Sequence, residues 1–107
     1  MEYGSMFNKN DYVILEMLIA EECNSPYKSL TKQFIIKKSG FSHVKVQQVL
    51  RSFQLVGFVK EGTKDGNNKT YYYTEQGKEH YMKVFEYTNE DIEILIENNK
   101  ENENIEI

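Results

Sequence analysis

Apolar residues recur along this chain in two periods, and the switches between them mark its elements. Residues 12–22 (YVILEMLIAEE) are strong helix formers behind Asn10 or Asp11, either of which can cap a first helix. Tyr12, Val13, Ile14, Leu15, Met17, Leu18 and Ile19 cover more than one helical stripe. Such a helix is either wrapped by its own small core or gives one face to a partner subunit. Asn24-Ser25-Pro26 reads as a turn, residues 27–30 as a brief strand, and Thr31 as the cap of a second helix over 32–38 with Phe34 and Ile35 inward. Ser39-Gly40 ends that helix, because the tight helix-helix turn needs a left-handed residue that glycine adopts freely. Ser42 caps a third helix to about Val56, in which Val46, Val49, Leu50 and Phe53 make one buried face, and Gly57 stops it.

The period then shortens to two. Residues 58–62 form a strand, 63–69 (TKDGNNK) a polar turn around Asp65-Gly66, and 70–74 a returning strand. Tyr71 and Tyr73 share one face and Tyr72 takes the other, so at least one tyrosine packs inward. Thr74 caps a fourth helix from Glu75 to about Tyr87, with Tyr81, Met82, Phe85 and Val84 on its apolar side. Thr88 and Asp91 resemble a capping box for a last amphipathic helix, residues 90–98, whose stripe is Ile92, Leu95 and Ile96. That helix closes the domain or zips to another copy, and dimerisation is the favoured expectation. Residues 99–107 (NKENENIEI) read as an acidic disordered tail, and Gly4-Ser5 before Met6 has the look of a cloning remnant. The expected organisation is a remnant at 1–5, a domain with its C-terminal helix at 6–98, and a tail at 99–107.

With 107 residues, 28% charged and 39% hydrophobic, the chain fits one soluble domain. It has no apolar run near the roughly 18 residues that span a bilayer and no secretory leader, so the expectation is a cytoplasmic protein without a membrane partner. The single cysteine, Cys23, excludes an intramolecular disulfide and a cysteine-based metal knuckle, and reads as a buried thiol. The net charge of −4 is unevenly spread. Residues 26–83 hold eleven Lys and Arg against four acids, a net of +7, between an acidic start of −4 and an acidic end of −7. A basic block between acidic ends is the footprint of one face that neutralises phosphates.

The outer positions of the third helix carry types that read DNA. Gln47 and Gln48 can pair bidentately with adenine, Lys45 and Arg51 with guanine or phosphate, and the Val44 methyls suit a thymine methyl; Ser42 and His43 precede them in the first turn. Lys64, Asn67, Asn68 and Lys69 at the hairpin tip can reach phosphates or the minor groove, and Lys28, Thr31 and Lys32 are candidates for backbone contacts. Enzyme chemistry finds no footing, since there is no phosphate-cradling glycine loop, no metal-ligand cluster and no nucleophile beside a base. His80 reads as a surface or packing histidine and Glu75 with Glu79 as solvated charges. No cofactor or metal is expected.

Leu30-Thr31, Gly40-Phe41-Ser42, then Val46, Leu50 and Phe53, then Val56-Gly57-Phe58-Val59 together resemble the helix-turn-recognition-helix pattern of the winged helix-turn-helix superfamily of bacterial and plasmid DNA-binding proteins. Thr74-Glu75-Gln76-Gly77 is similar to the threonine and glycine that close many bacterial wings. The resemblance covers most of the chain. It implies an α+β, mainly α fold with a two- to three-stranded wing, and a homodimer that places the helix after Ser42 in the major groove of double-stranded DNA. It carries over to His43, Val44, Lys45, Gln47, Gln48, Arg51 and to the wing residues. Leu55 and Val56 depart from it, being apolar where such helices carry charge, which shifts weight towards the wing. Small size and AT-rich composition look like plasmid or phage proteins, among them winged-helix accessory proteins that bind repeats at the transfer origin of clostridial conjugative plasmids. Either a conjugation accessory factor, with other transfer proteins as partners, or a transcription regulator fits. The alternative is an interaction module that contacts a basic protein through its acidic C-terminal segment.

Overall fold

Asn8 opens the first helix, α1 (Lys9–Ala20), through a reciprocal box. Its side chain accepts from the Asp11 amide at 2.9 Å, and the Asp11 carboxylate accepts from the Asn8 amide at 3.0 Å. The helix thus begins earlier than a cap at Asn10 or Asp11 allows, because Asp11 serves as the third helical residue of the box. The structure, a computed structural model, describes residues 7–105, with side chains as far as 102. The remnant expected at 1–5 and the chain beyond 105 lie outside these residues.

After α1 come β1 (Leu30–Thr31), α2 (Lys32–Ser39), α3 (His43–Leu55), β2 (Val59–Glu61), β3 (Thr70–Tyr73), α4 (Glu75–Phe85) and α5 (Asn89–Ile105). This is a winged helix-turn-helix, mainly helical, with a three-stranded antiparallel sheet in the order β1-β3-β2. β1 is shorter and later than the strand expected over 27–30. Ser25 and Lys28 close a tight turn on each other, and the Pro26 carbonyl accepts from the Thr63 amide at 2.8 Å instead of joining the ladder. Leu30 pairs with Tyr71, and Val59 with Tyr73, which turns Tyr71 and Tyr73 into the core.

The breadth of α1 is used within the chain. Ile14, Leu15, Leu18 and Ile19 are fully buried, and Val13, at 39% exposed, is the residue of its apolar set that reaches solvent. α1 packs against α2, α3, α4, α5 and β3. α5 closes the domain as well: Ile92 is buried, and Leu95 and Ile96 pack against the same core. It runs to Ile105, so the disordered tail expected from residue 99 is corrected. No Gly or Pro interrupts residues 89–105, and the extra turns are fastened to the end of α1 by Asn99 Nδ2 donating to Glu21 Oε2 at 3.2 Å and by Lys100 with Glu22 at 3.4 Å.

Candidate nucleic-acid interface

α3 is held at the surface by its two ends. Gly40, at φ 75°, takes the left-handed turn after α2, and Ser42 Oγ accepts from the Lys45 amide at 3.1 Å to cap α3. Ser42 therefore spends a lone pair on its own helix. Val46, Val49, Leu50 and Phe53 sink into the core, so the opposite side of α3 faces outward with Val44, Gln48, Arg51 and Leu55 in line. Leu55 is 82% exposed and Val44 63%, far more than a core role would leave. His43 is exposed in the first turn.

Lys45 and Gln47, expected among the readers, lie on the two flanks of this line and already have partners. Lys45 Nζ donates to Asp11 Oδ1 at 2.8 Å, a half-buried ion pair that ties α3 to the start of α1. Lys32 Nζ donates to Gln47 Oε1 at 2.6 Å, tying α3 to the first turn of α2. Thr31 caps α2 by accepting from the Phe34 amide at 3.1 Å, so its hydroxyl oxygen is also engaged. Arg51 has no ion-pair partner among the described residues.

The wing is a hairpin whose tip is set by Gly66. Asp65 and Asn68 exchange both backbone hydrogen bonds, at 2.9 and 3.0 Å, around Gly66-Asn67, and Gly66 takes φ 66°, the first central position of a two-residue turn that favours glycine. Lys64, Asn67, Asn68 and Lys69 are all exposed there. Lys69 leans back on Glu61 at 3.5 Å, while Lys64 has no such partner among the described residues. Lys28 is exposed in the turn that the Pro26 carbonyl ties to the Thr63 amide, at the start of the wing tip.

Two residues that sequence reasoning did not place at the interface join these parts. Gln33 Nε2 donates to Asn68 Oδ1 at 3.5 Å, so the first turn of α2 touches the wing tip through Gln33 and α3 through Lys32. Asp11 anchors Lys45. The signal for Gln33 was its place two residues after the Thr31 cap, where a helix N-terminus meets its neighbours; Asp11 gave none, since its partner is 34 residues away. α3, the start of α2 and the wing tip therefore form one continuous surface. Elsewhere Cys23 is buried, and burial with the nearby Glu21 and Glu22 pushes its thiol up to about 12, which keeps it protonated. No group of three or more His, Cys, Asp or Glu among the described residues is arranged to hold a metal.

No family model matches the chain. Compared with known proteins, it is 39% identical over 72 residues to the DNA-binding protein TubR of a Clostridium botulinum C phage, covering 67% of this chain and 89% of that one. The chain belongs to the TubR family. The solution structure of the DNA-binding TubR fragment from Clostridium botulinum is 36% identical with a TM-score of 0.61, over 73% of this chain and 96% of that one. TubR from Bacillus megaterium pBM400 has a TM-score of 0.70 at 21% identity, over 78% and 92% of the two chains. A single-residue mutant of MepR from Staphylococcus aureus has 0.61 at 20%, over 94% and 73%. These last two likenesses speak for the fold alone. As a TubR-family chain, the protein joins a group whose named members are DNA-binding proteins, and the winged-helix expectation stands; no helix among the described residues is long and apolar enough to cross a membrane.

Proposed function

We propose that this protein binds double-stranded DNA with sequence specificity as a homodimer, α3 entering the major groove and the wing tip lying on the adjacent backbone or in the minor groove. The observation that carries this reading is the continuous surface in which α2 bridges α3 and the wing, with Arg51 and Lys64 exposed and free of ion pairs among the described residues. The relatives support it by name, and their phage and plasmid origins favour the same kind of source for this chain. Of the two roles expected, the transcription regulator is kept; the transfer-origin role finds no support in TubR relatives. The reading is of a binding protein, not an enzyme.

The test is retention of duplexes from a random pool by the full chain at low and raised salt, followed by sequencing. Enrichment of a repeated motif that weakens with salt is the expected result, since phosphate contacts release counterions. No retention at low salt would overturn DNA binding, and the acidic outer face of α5 would then be the surface to probe for a basic protein.

A further inference from the structure

Which α3 side chains read bases follows from what the flanks already hold. Val44, Gln48 and Arg51 stand four and three residues apart, one straight line on a helix of 3.6 residues per turn, and all three are exposed without an internal polar partner among the described residues. Lys45 and Gln47, equally plausible readers by type, are turned aside on opposite flanks by Asp11 and Lys32. The acceptor of Gln47 is occupied by an ammonium, so it cannot freely offer adenine the paired donor and acceptor that a free amide does.

Resting on the DNA-binding reading above, we propose that Val44, Gln48 and Arg51 are the specificity-determining residues, taking a thymine methyl, an adenine and a guanine in that order, while Lys45 and Gln47 fix the helix against α1 and α2. The seven steps from Val44 to Arg51 rise about 10.5 Å. That is about three base-pair steps of 3.4 Å, so the three bases fall within about four consecutive base pairs. The chemistry is edge matching: a free amide both accepts from N6 and donates to N7 of adenine, a guanidinium donates twice to O6 and N7 of guanine, and an isopropyl group packs on the thymine methyl. Each good bidentate pair discriminates roughly 5- to 150-fold against a wrong base.

The experiment is the same duplex selection with the full chain and single variants, each checked for folding by circular dichroism. Gln48→Glu is expected to change its position from adenine to cytosine, because a carboxylate accepts from cytosine N4 but has nothing to donate to adenine N7. Arg51→Ala is expected to relax the guanine and Val44→Ser the thymine. Lys45→Met is expected to leave the motif unchanged; should it fail to fold, Lys45→Arg keeps the charge beside Asp11 and should leave the motif unchanged too. A motif insensitive to Gln48→Glu and Arg51→Ala, or one shifted by either Lys45 variant, would overturn the assignment and leave DNA binding intact. Retention without any motif does the same, whereas a wild-type chain that retains no duplex removes the reading beneath it.

Discussion

Tyr12 and His80, 68 residues apart, meet in the core with Tyr12 Oη and His80 Nε2 at 2.8 Å. The His80 ring also stacks on Phe58, with centroids 4.4 Å apart, so this histidine is packing material with one polar edge satisfied. Burial, and then the charge of Lys83, hold its pKa below the ordinary 6.5. The sign follows from proton counting. The unfolded chain takes up a proton as pH falls through about 6.5, while the folded chain resists until lower pH. His80 therefore costs no stability above about 6.5 and removes stability as pH falls from there towards its folded pKa. We expect the melting temperature to drop between pH 7.5 and pH 5, and His80→Gln to flatten that drop relative to wild type. An equal pH dependence in both proteins would count against a neutral buried histidine. Sequence reasoning allowed His80 a surface or packing role but had no means of choosing, because the choice depends on Tyr12 and Phe58 arriving from elsewhere in the chain.

Among the elements, the exit of the wing shows why a short local pattern was readable. Thr74 Oγ1 donates to the Gly57 carbonyl at 2.6 Å and accepts from the Gly77 amide at 3.0 Å, so one hydroxyl caps α4 and pins it to the end of α3. Gly77 lies against the Phe58 backbone, where an added Cβ would stand 2.4 Å from the Phe58 carbonyl oxygen. That approach accounts for the threonine and glycine of the Thr74-Glu75-Gln76-Gly77 pattern without any appeal to DNA. Thr74→Ala should lower unfolding free energy by about 1–2 kcal/mol, and Gly77→Ala should cost more, because backbone rather than a flexible side chain must move; urea denaturation measures both, and a neutral Gly77→Ala would refute the close packing. Helix positions, caps at Thr31, Ser42 and Thr74, and the hairpin were legible because each is set by residues within one turn of each other. The brevity of β1 and the length of α5 were not: the Pro26 carbonyl and Asn99 owe their roles to Thr63 and Glu21, and pairings across the chain leave little local trace. The start of α1 is local too, and it was misplaced because Asp11, the third helical residue of the Asn8 box, is itself a good cap type.

At the scale of the molecule, the basic block does not present all its eleven cations to a ligand. Lys45, Lys38 and Lys69 are paired with Asp11, Glu21 and Glu61 at 2.8, 3.1 and 3.5 Å. The acidic start of the chain and Glu61 thus partly neutralise its middle, while acids of the C-terminal end, Glu90, Asp91, Glu93 and Glu97 among them, lie on α5, which packs chiefly on α1. The residual field should be concentrated on the cations of the proposed interface that lack an ion pair among the described residues, Arg51 and Lys64 among them. Counterion release converts this into a number, since each phosphate neutralised contributes about −0.9 to the slope of log affinity against log salt. Lys64→Ala should reduce the slope by about 0.9, one full contact. Lys45→Ala should leave the slope unchanged while lowering stability, because its partner Asp11 is retained within the fold. Lys69→Ala should fall between, as this side chain must give up Glu61 before it meets a phosphate. Binding isotherms from about 50 to 200 mM salt separate these cases. If Lys45→Ala takes as much slope as Lys64→Ala, the Asp11 pair opens on binding, and the start of α1 then belongs to the interface rather than to its support.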